Sequence, residues 1–102
     1  MDFKPGQIKR LRAEGHRRGL KPVVTIGQQG LSENIHTEID NALGHHELVK
    51  LRIPAADRAA KRALAEELCV RHQATLIELI GNVVVLYRCN PDKNRFASVI
   101  SG

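Results

Sequence analysis

Val23-Val24-Thr25-Ile26-Gly27-Gln28-Gln29-Gly30-Leu31-Ser32 changes its periodicity in the middle. The first four residues are a β-branched run, which reads as a short buried strand. From Leu31 onward, Leu31, Ile35, Ile39 and Leu43 recur every four residues and mark one face of a helix. Ser32 caps the start of that helix, Glu33 suits its dipole, and Gly44 ends it. Between strand and helix sit Gly27 and Gly30. A strand, a tight glycine loop and an amphipathic helix form the first half of a strand–helix–strand unit, so the fold class is α/β.

The flanking segments continue the pattern. Leu48-Val49-Lys50-Leu51-Arg52-Ile53 alternates, with Val49, Leu51 and Ile53 on one face and Lys50 and Arg52 on the other. Pro54 ends it. An Ala-rich helix is expected from about Ala56 to His72, with Asp57 near its start and Ala60, Leu64 and Leu68 inward. Thr75 to Ile80 and Val83 to Arg88 read as strands joined by Gly81-Asn82, a two-residue primed hairpin turn. Upstream, Pro5 opens a helix that runs to about Arg18 and stops at Gly19. Its apolar stripe is thin (Ile8, Leu11, Ala13, with Gly15 in line), so residues 1–20 read as an appended basic helix. The order α-β-α-β-α-β-β with right-handed crossovers predicts a two-layer sandwich built on a four-stranded mixed sheet. A single domain over residues 1–88 is expected, with 89–102, polar and containing Pro91, as a loosely held tail.

The 102 residues are 42% hydrophobic, which suits one packed core. Aromatics are limited to Phe3, Tyr87 and Phe96, so that core must be largely aliphatic, and the stacking platform of many single-strand binders is missing. The net charge is +5 and the pI about 9.7, which favours a polyanionic partner. Residues 1–22 carry seven basic and two acidic side chains, 23–87 six and eight, and 88–102 three and one. The positive charge therefore gathers at both ends of the chain. No run approaches the ~18 apolar residues of a membrane span, and no signal-like segment opens the chain. A soluble cytoplasmic protein without a membrane partner is expected, and Cys69 and Cys89 read as free thiols.

The loop Gly27-Gln28-Gln29-Gly30 is the candidate site. Glycine allows close backbone approach, and the first amides of the following helix lack intrahelical partners. That combination suits a phosphate, and a GXXG loop clamps a nucleotide backbone in KH-type domains. A dinucleotide fold needs a third glycine and a Walker loop needs Gly-Lys-Ser/Thr; both are absent. His45-His46 make a poor chelate, being adjacent. Cys69 and His72 supply only two of the four ligands of a zinc site. Asp57, Glu66 and Glu67 share their helix with Arg58, Lys61 and Arg62, as on a solvated face. No acid–base pair or activated nucleophile emerges, so neither an enzyme, a cofactor nor a small-molecule substrate is expected.

Four ordered blocks carry a resemblance: Leu20-Lys21-Pro22-Val23-Val24, Ile26-Gly27-Gln28-Gln29-Gly30-Leu31, His46-Glu47-Leu48-Val49-Lys50, and Ile80-Gly81-Asn82-Val83-Val84-Val85-Leu86-Tyr87-Arg88. From about Gln7 to Arg88 the chain resembles the CRM domain (chloroplast RNA splicing and ribosome maturation), whose stand-alone bacterial form is called YhbY. The resemblance implies an α/β fold similar to the C-terminal domain of bacterial initiation factor three. It also implies RNA binding and association with ribosomal RNA in precursors of the large ribosomal subunit. It maps the family's GXXG loop onto Gly27 to Gly30, its basic strand onto Lys50 and Arg52, and its closing basic residue onto Arg88. Two departures stand out. Glu14 to Gly19 is about two residues longer than usual and contains Arg17-Arg18, and the loop centre, Gln28-Gln29, lacks the Lys or Arg often found there. Charge must then come from Arg17, Arg18, Lys21, Lys50, Arg52 and Arg88, which are expected to form one continuous basic surface on a monomer. The competing expectation is a module that docks on ribosomal proteins or assembly factors without touching RNA.

Overall fold

Eight elements follow one another in the computed structural model, which describes residues 3–102. They are α1 (Pro5–Arg18), β1 (Pro22–Thr25), α2 (Glu33–His46), β2 (Leu48–Arg52), α3 (Arg58–His72), β3 (Thr75–Ile80), β4 (Val83–Tyr87) and α4 (Ala97–Ser101). The four strands form one sheet in the order β1-β2-β4-β3. β1 and β2 are parallel, while β4 is antiparallel to both β2 and β3. This is the expected mixed α/β sheet. Pairing of Thr25 with Arg52 and of Arg52 with Val83 brings the Gly27–Gly30 loop and the Gly81-Asn82 turn to the same end of the sheet.

Strand alternation splits the interior in two. Val49, Leu51 and Ile53 of β2 and its extension, with Val84 and Leu86 of β4, pack under α2 and α3 through Ile39, Leu43, Ala65 and Leu68. That aliphatic layer is the sandwich foretold by the periodicity. The alternate residues Leu48, Val85 and Tyr87 face the other way and meet Leu11 of α1 and Phe96. Fully burying one such side chain is worth about 1.5–3 kcal/mol, so both clusters hold the fold. α1 lies close on this second face because Gly15 has no side chain. A Cβ there would come within 3.3 Å of Leu20 Cδ1 and 3.6 Å of Leu48 Cδ2.

Several expectations need correction. β1 is an edge strand with Val23 48% exposed, so only Val24 and then Ile26 turn inward. α2 continues two residues beyond Gly44 and ends where Glu47 takes φ 64°, its N–H still donating to Leu43 O at 2.8 Å. α3 starts at Arg58 behind the Asp57 cap, and Ala60, in its first turn, is exposed rather than inward. Residues 1–20 are not a mere appendage: Leu11 is fully buried. Residues 89–102 are not loosely held. Phe96 is 2% exposed, packed edge-to-face on Tyr87, which packs in the same way on Phe3. All three aromatic side chains of the protein therefore meet in the second cluster. Arg10 also fastens the segment, donating to Val99 O and Ile100 O at 2.9 and 2.7 Å.

Candidate nucleic-acid interface

The Gly27–Gly30 loop is a closed turn, with Gly30 N–H donating to Gly27 O at 3.0 Å. Gly30 sits at φ 87°, where a side chain would be strained. Gly27 differs: its φ is not left-handed, and a Cβ would meet nothing within 4 Å. The fold thus requires glycine at 30 but not at 27, where the missing side chain only leaves bare backbone open to solvent. Gln28 and Gln29 are exposed. The helix end behind the loop is less inviting to an anion than the sequence implies. Ser32 Oγ already accepts from Ile35 N at 3.2 Å, and Glu33 brings a carboxylate that pairs with Arg71 at 3.1 Å.

Charge comes from beside the loop. α1 and α4 cover only the Leu48–Tyr87 end of the second sheet face, and the end nearer the loop stays open. Lys50 and Arg52 project from β2 on that open half, with Arg52 exposed. Ile26 N–H donates to Arg52 O at 2.8 Å, so the loop leaves the sheet directly beside Arg52. Lys50 also lines a groove of about 330 Å³ with Arg18, Lys21, His46 and Arg95. No acidic side chain among the described residues lines this groove. Among the described residues Lys21, Lys50, Arg52 and Arg95 form no ion pair. Glu78 stands near Lys50 across the sheet but is taken by His16 at 2.9 Å and Arg12 at 3.8 Å.

Of the sequence candidates, the structure brings Arg18, Lys21 and Lys50 to one groove and Arg52 beside the loop, and separates two. Arg17 turns towards α4 and grips Glu14, which also accepts from Arg18 Nε at 2.6 Å. The Arg17 hydrogen bond first, then that of Arg18, holds the Glu14 carboxyl below its usual range. Arg18 lies over the Phe96 ring, its Cζ 4.5 Å from the centroid, and so remains at the groove wall. Arg88 lies at the far end of β4 from the loop. It donates to Asp40 Oδ1 at 2.9 Å, to His72 O at 3.0 Å and to Asp40 O at 3.1 Å, tying α2 to α3. The single continuous surface is therefore shorter than expected, because Arg88 is spent on the fold.

Asp40 also lies 2.7 Å from His72 Nδ1. A carboxylate only accepts, so Nδ1 carries the proton. That bond, then the one from Arg88, lowers the Asp40 carboxyl below its ordinary range. His72 Nε2 in turn meets His36 Nδ1 at 2.9 Å in the helix interface. The sequence pairing of Cys69 with His72 does not appear. Cys69 faces the aliphatic layer, where burial pushes its thiol up to about 11. His45 and His46 are both exposed. Sequence reasoning missed Arg95 and His46 as groove residues. The surplus positive charge of residues 88–102 was the only signal for Arg95.

Comparison with known proteins places the chain among named relatives. A Pseudomonas aeruginosa protein named a probable RNA-binding protein is 39% identical over 95 residues, spanning 93% of this chain and 89% of the relative. A Haemophilus influenzae RNA-binding protein is 42% identical over 69 residues, spanning 68% and 70%. The solution structure of a Staphylococcus aureus protein superposes with a TM-score of 0.77 at 30% identity, covering 87% of this chain and 91% of that one. The model of the CRS1/YhbY (CRM) domain matches residues 3–88, and the chain belongs to the CRS1/YhbY (CRM) domain family.

Proposed function

We propose that this protein binds RNA along the Lys50–Arg52 face of the sheet, from the groove beside Leu48 to the Gly27–Gly30 loop. Gly27–Gly30 admits the backbone, and Arg18, Lys21, Lys50 and Arg52 supply the charge. The observation that carries this reading is that Lys21, Lys50 and Arg52, without ion pairs among the described residues, lead to a loop whose Gly27 the fold does not require. Phosphate contacts of this kind supply affinity without base-specific readout, and the affinity falls steeply with salt. The names of the relatives support RNA as the ligand. The finer reading is that the RNA is ribosomal, in precursors of the large ribosomal subunit, and that a monomeric cytoplasmic protein holds it during assembly without chemistry.

The test is titration of a labelled ribosomal RNA fragment across a range of KCl. Lys50→Ala with Arg52→Ala should weaken binding about tenfold and reduce the log–log salt slope by about 2. Gln28→Asp with Gln29→Asp should also weaken it, by placing negative charge against phosphate. Unchanged affinity in both would remove the RNA reading from this face. Retention on precursor particles after RNase digestion, with no binding to isolated ribosomal RNA, would replace it with protein docking.

A further inference from the structure

The C-terminal segment lies outside the residues that match the family model, yet it is fixed at both ends of a short stretch. Glu47, fully buried at the turn between α2 and β2, accepts from Asn90 N at 3.1 Å through Oε1 and from Arg95 N at 3.0 Å through Oε2. The Asn90 side chain donates to Gly44 O at 2.9 Å. The next residue after Arg95 is Phe96, buried between Tyr87 and the Arg18 guanidinium. The Arg95 backbone is thus held by Glu47 on one side and by a buried ring on the other. Its side chain, exposed and without an ion pair among the described residues, lines the groove beside Lys21 and Lys50. Like charges gathered without a counter-charge repel one another in the free protein, and an anion relieves that repulsion.

We infer that this groove is a seat for an RNA backbone phosphate, completed by Arg95 from the C-terminal segment, with Glu47 as its positioning residue. The inference rests on the RNA-binding reading above and extends the interface beyond the family domain. A groove of about 330 Å³ is at the lower end of the size range of small-ligand sites. The ligand therefore reaches it as part of a chain that also passes Lys50 and the loop.

The experiment uses the full chain and a fluorescein-labelled RNA hairpin, read by anisotropy at several KCl concentrations. Arg95→Ala is an exposed substitution that leaves the fold intact. It should weaken binding about threefold to tenfold and lower the salt slope by about 1. Arg95→Lys should recover most of the affinity, and Arg58→Ala on α3, across the sheet, should match the wild type. Glu47→Gln should weaken binding without changing the charge that faces the RNA, and should speed proteolysis after residue 90. Wild-type affinity and slope in Arg95→Ala, with weakening by Lys50→Ala, would overturn the inference and leave the RNA reading standing. Failure of the wild-type protein to bind the hairpin at low salt would overturn both.

Discussion

The two faces of the sheet use the same residue types differently. On the α2–α3 face the core is aliphatic, and two cations beside it are consumed: Arg88 ties Asp40 to the His72 carbonyl, and Arg71 pairs with Glu33. On the α1–α4 face the core adds the aromatic rings to Leu11, Leu48, Ile77 and Val85, and Lys50 and Arg52 have no ion pair among the described residues. The difference teaches that a basic composition is not itself a binding surface. What matters is which cations the fold has already paired: Arg88 is held by Asp40, whereas Lys50 and Arg52 have no ion pair among the described residues.

The comparison breaks first if the second face is only a covering. Phe96→Ala and Leu43→Ala should each cost about 3 kcal/mol, one from either cluster, lowering Tm by roughly 10 °C or more in thermal unfolding. A Phe96→Ala protein that melts with the wild type would mean that the C-terminal segment adds nothing to the fold. Next in size is Arg88→Ala. Loss of its charged hydrogen bonds should cost about 1.5–3 kcal/mol in urea unfolding, with RNA affinity and salt slope unchanged. A lower slope would return Arg88 to the interface. The smallest effect is acid sensitivity. The folded Asp40 carboxyl titrates below its unfolded value of 3.8. Its contribution is therefore complete above that value and is lost as pH falls through the lowered folded one. Asp40→Asn should flatten the loss of stability below about pH 4. An equally steep loss in that variant would show that other carboxylates dominate.

Much of this was legible in the residues. The switch of period across Gly27–Gly30, the alternation in β2 and the Gly19 stop of α1 are local signals, and the structure follows them. The placement of Lys50 and Arg52 on one face of β2 was legible in the same way, from the alternation of that strand. Arg88 was misjudged because its partner Asp40 is 48 residues away, and no period reports such a pairing. The packing of residues 89–102 was hidden likewise. It depends on one ring, Phe96, and on the carboxylate of Glu47, both acting through contacts distant in sequence. Gly44 misled because a glycine inside a helix and one at its end look alike until the following residue's conformation is known.

β4, the last strand made, occupies an interior place in the sheet between β2 and β3. It also contributes to both clusters, Val84 and Leu86 to one and Val85 and Tyr87 to the other. Neither side of the molecule can be sealed before that strand arrives. During synthesis the sheet therefore cannot be completed until residues near 87 have emerged, and the second cluster not until Phe96 follows. A fragment ending after β3 should remain unfolded rather than form half a protein.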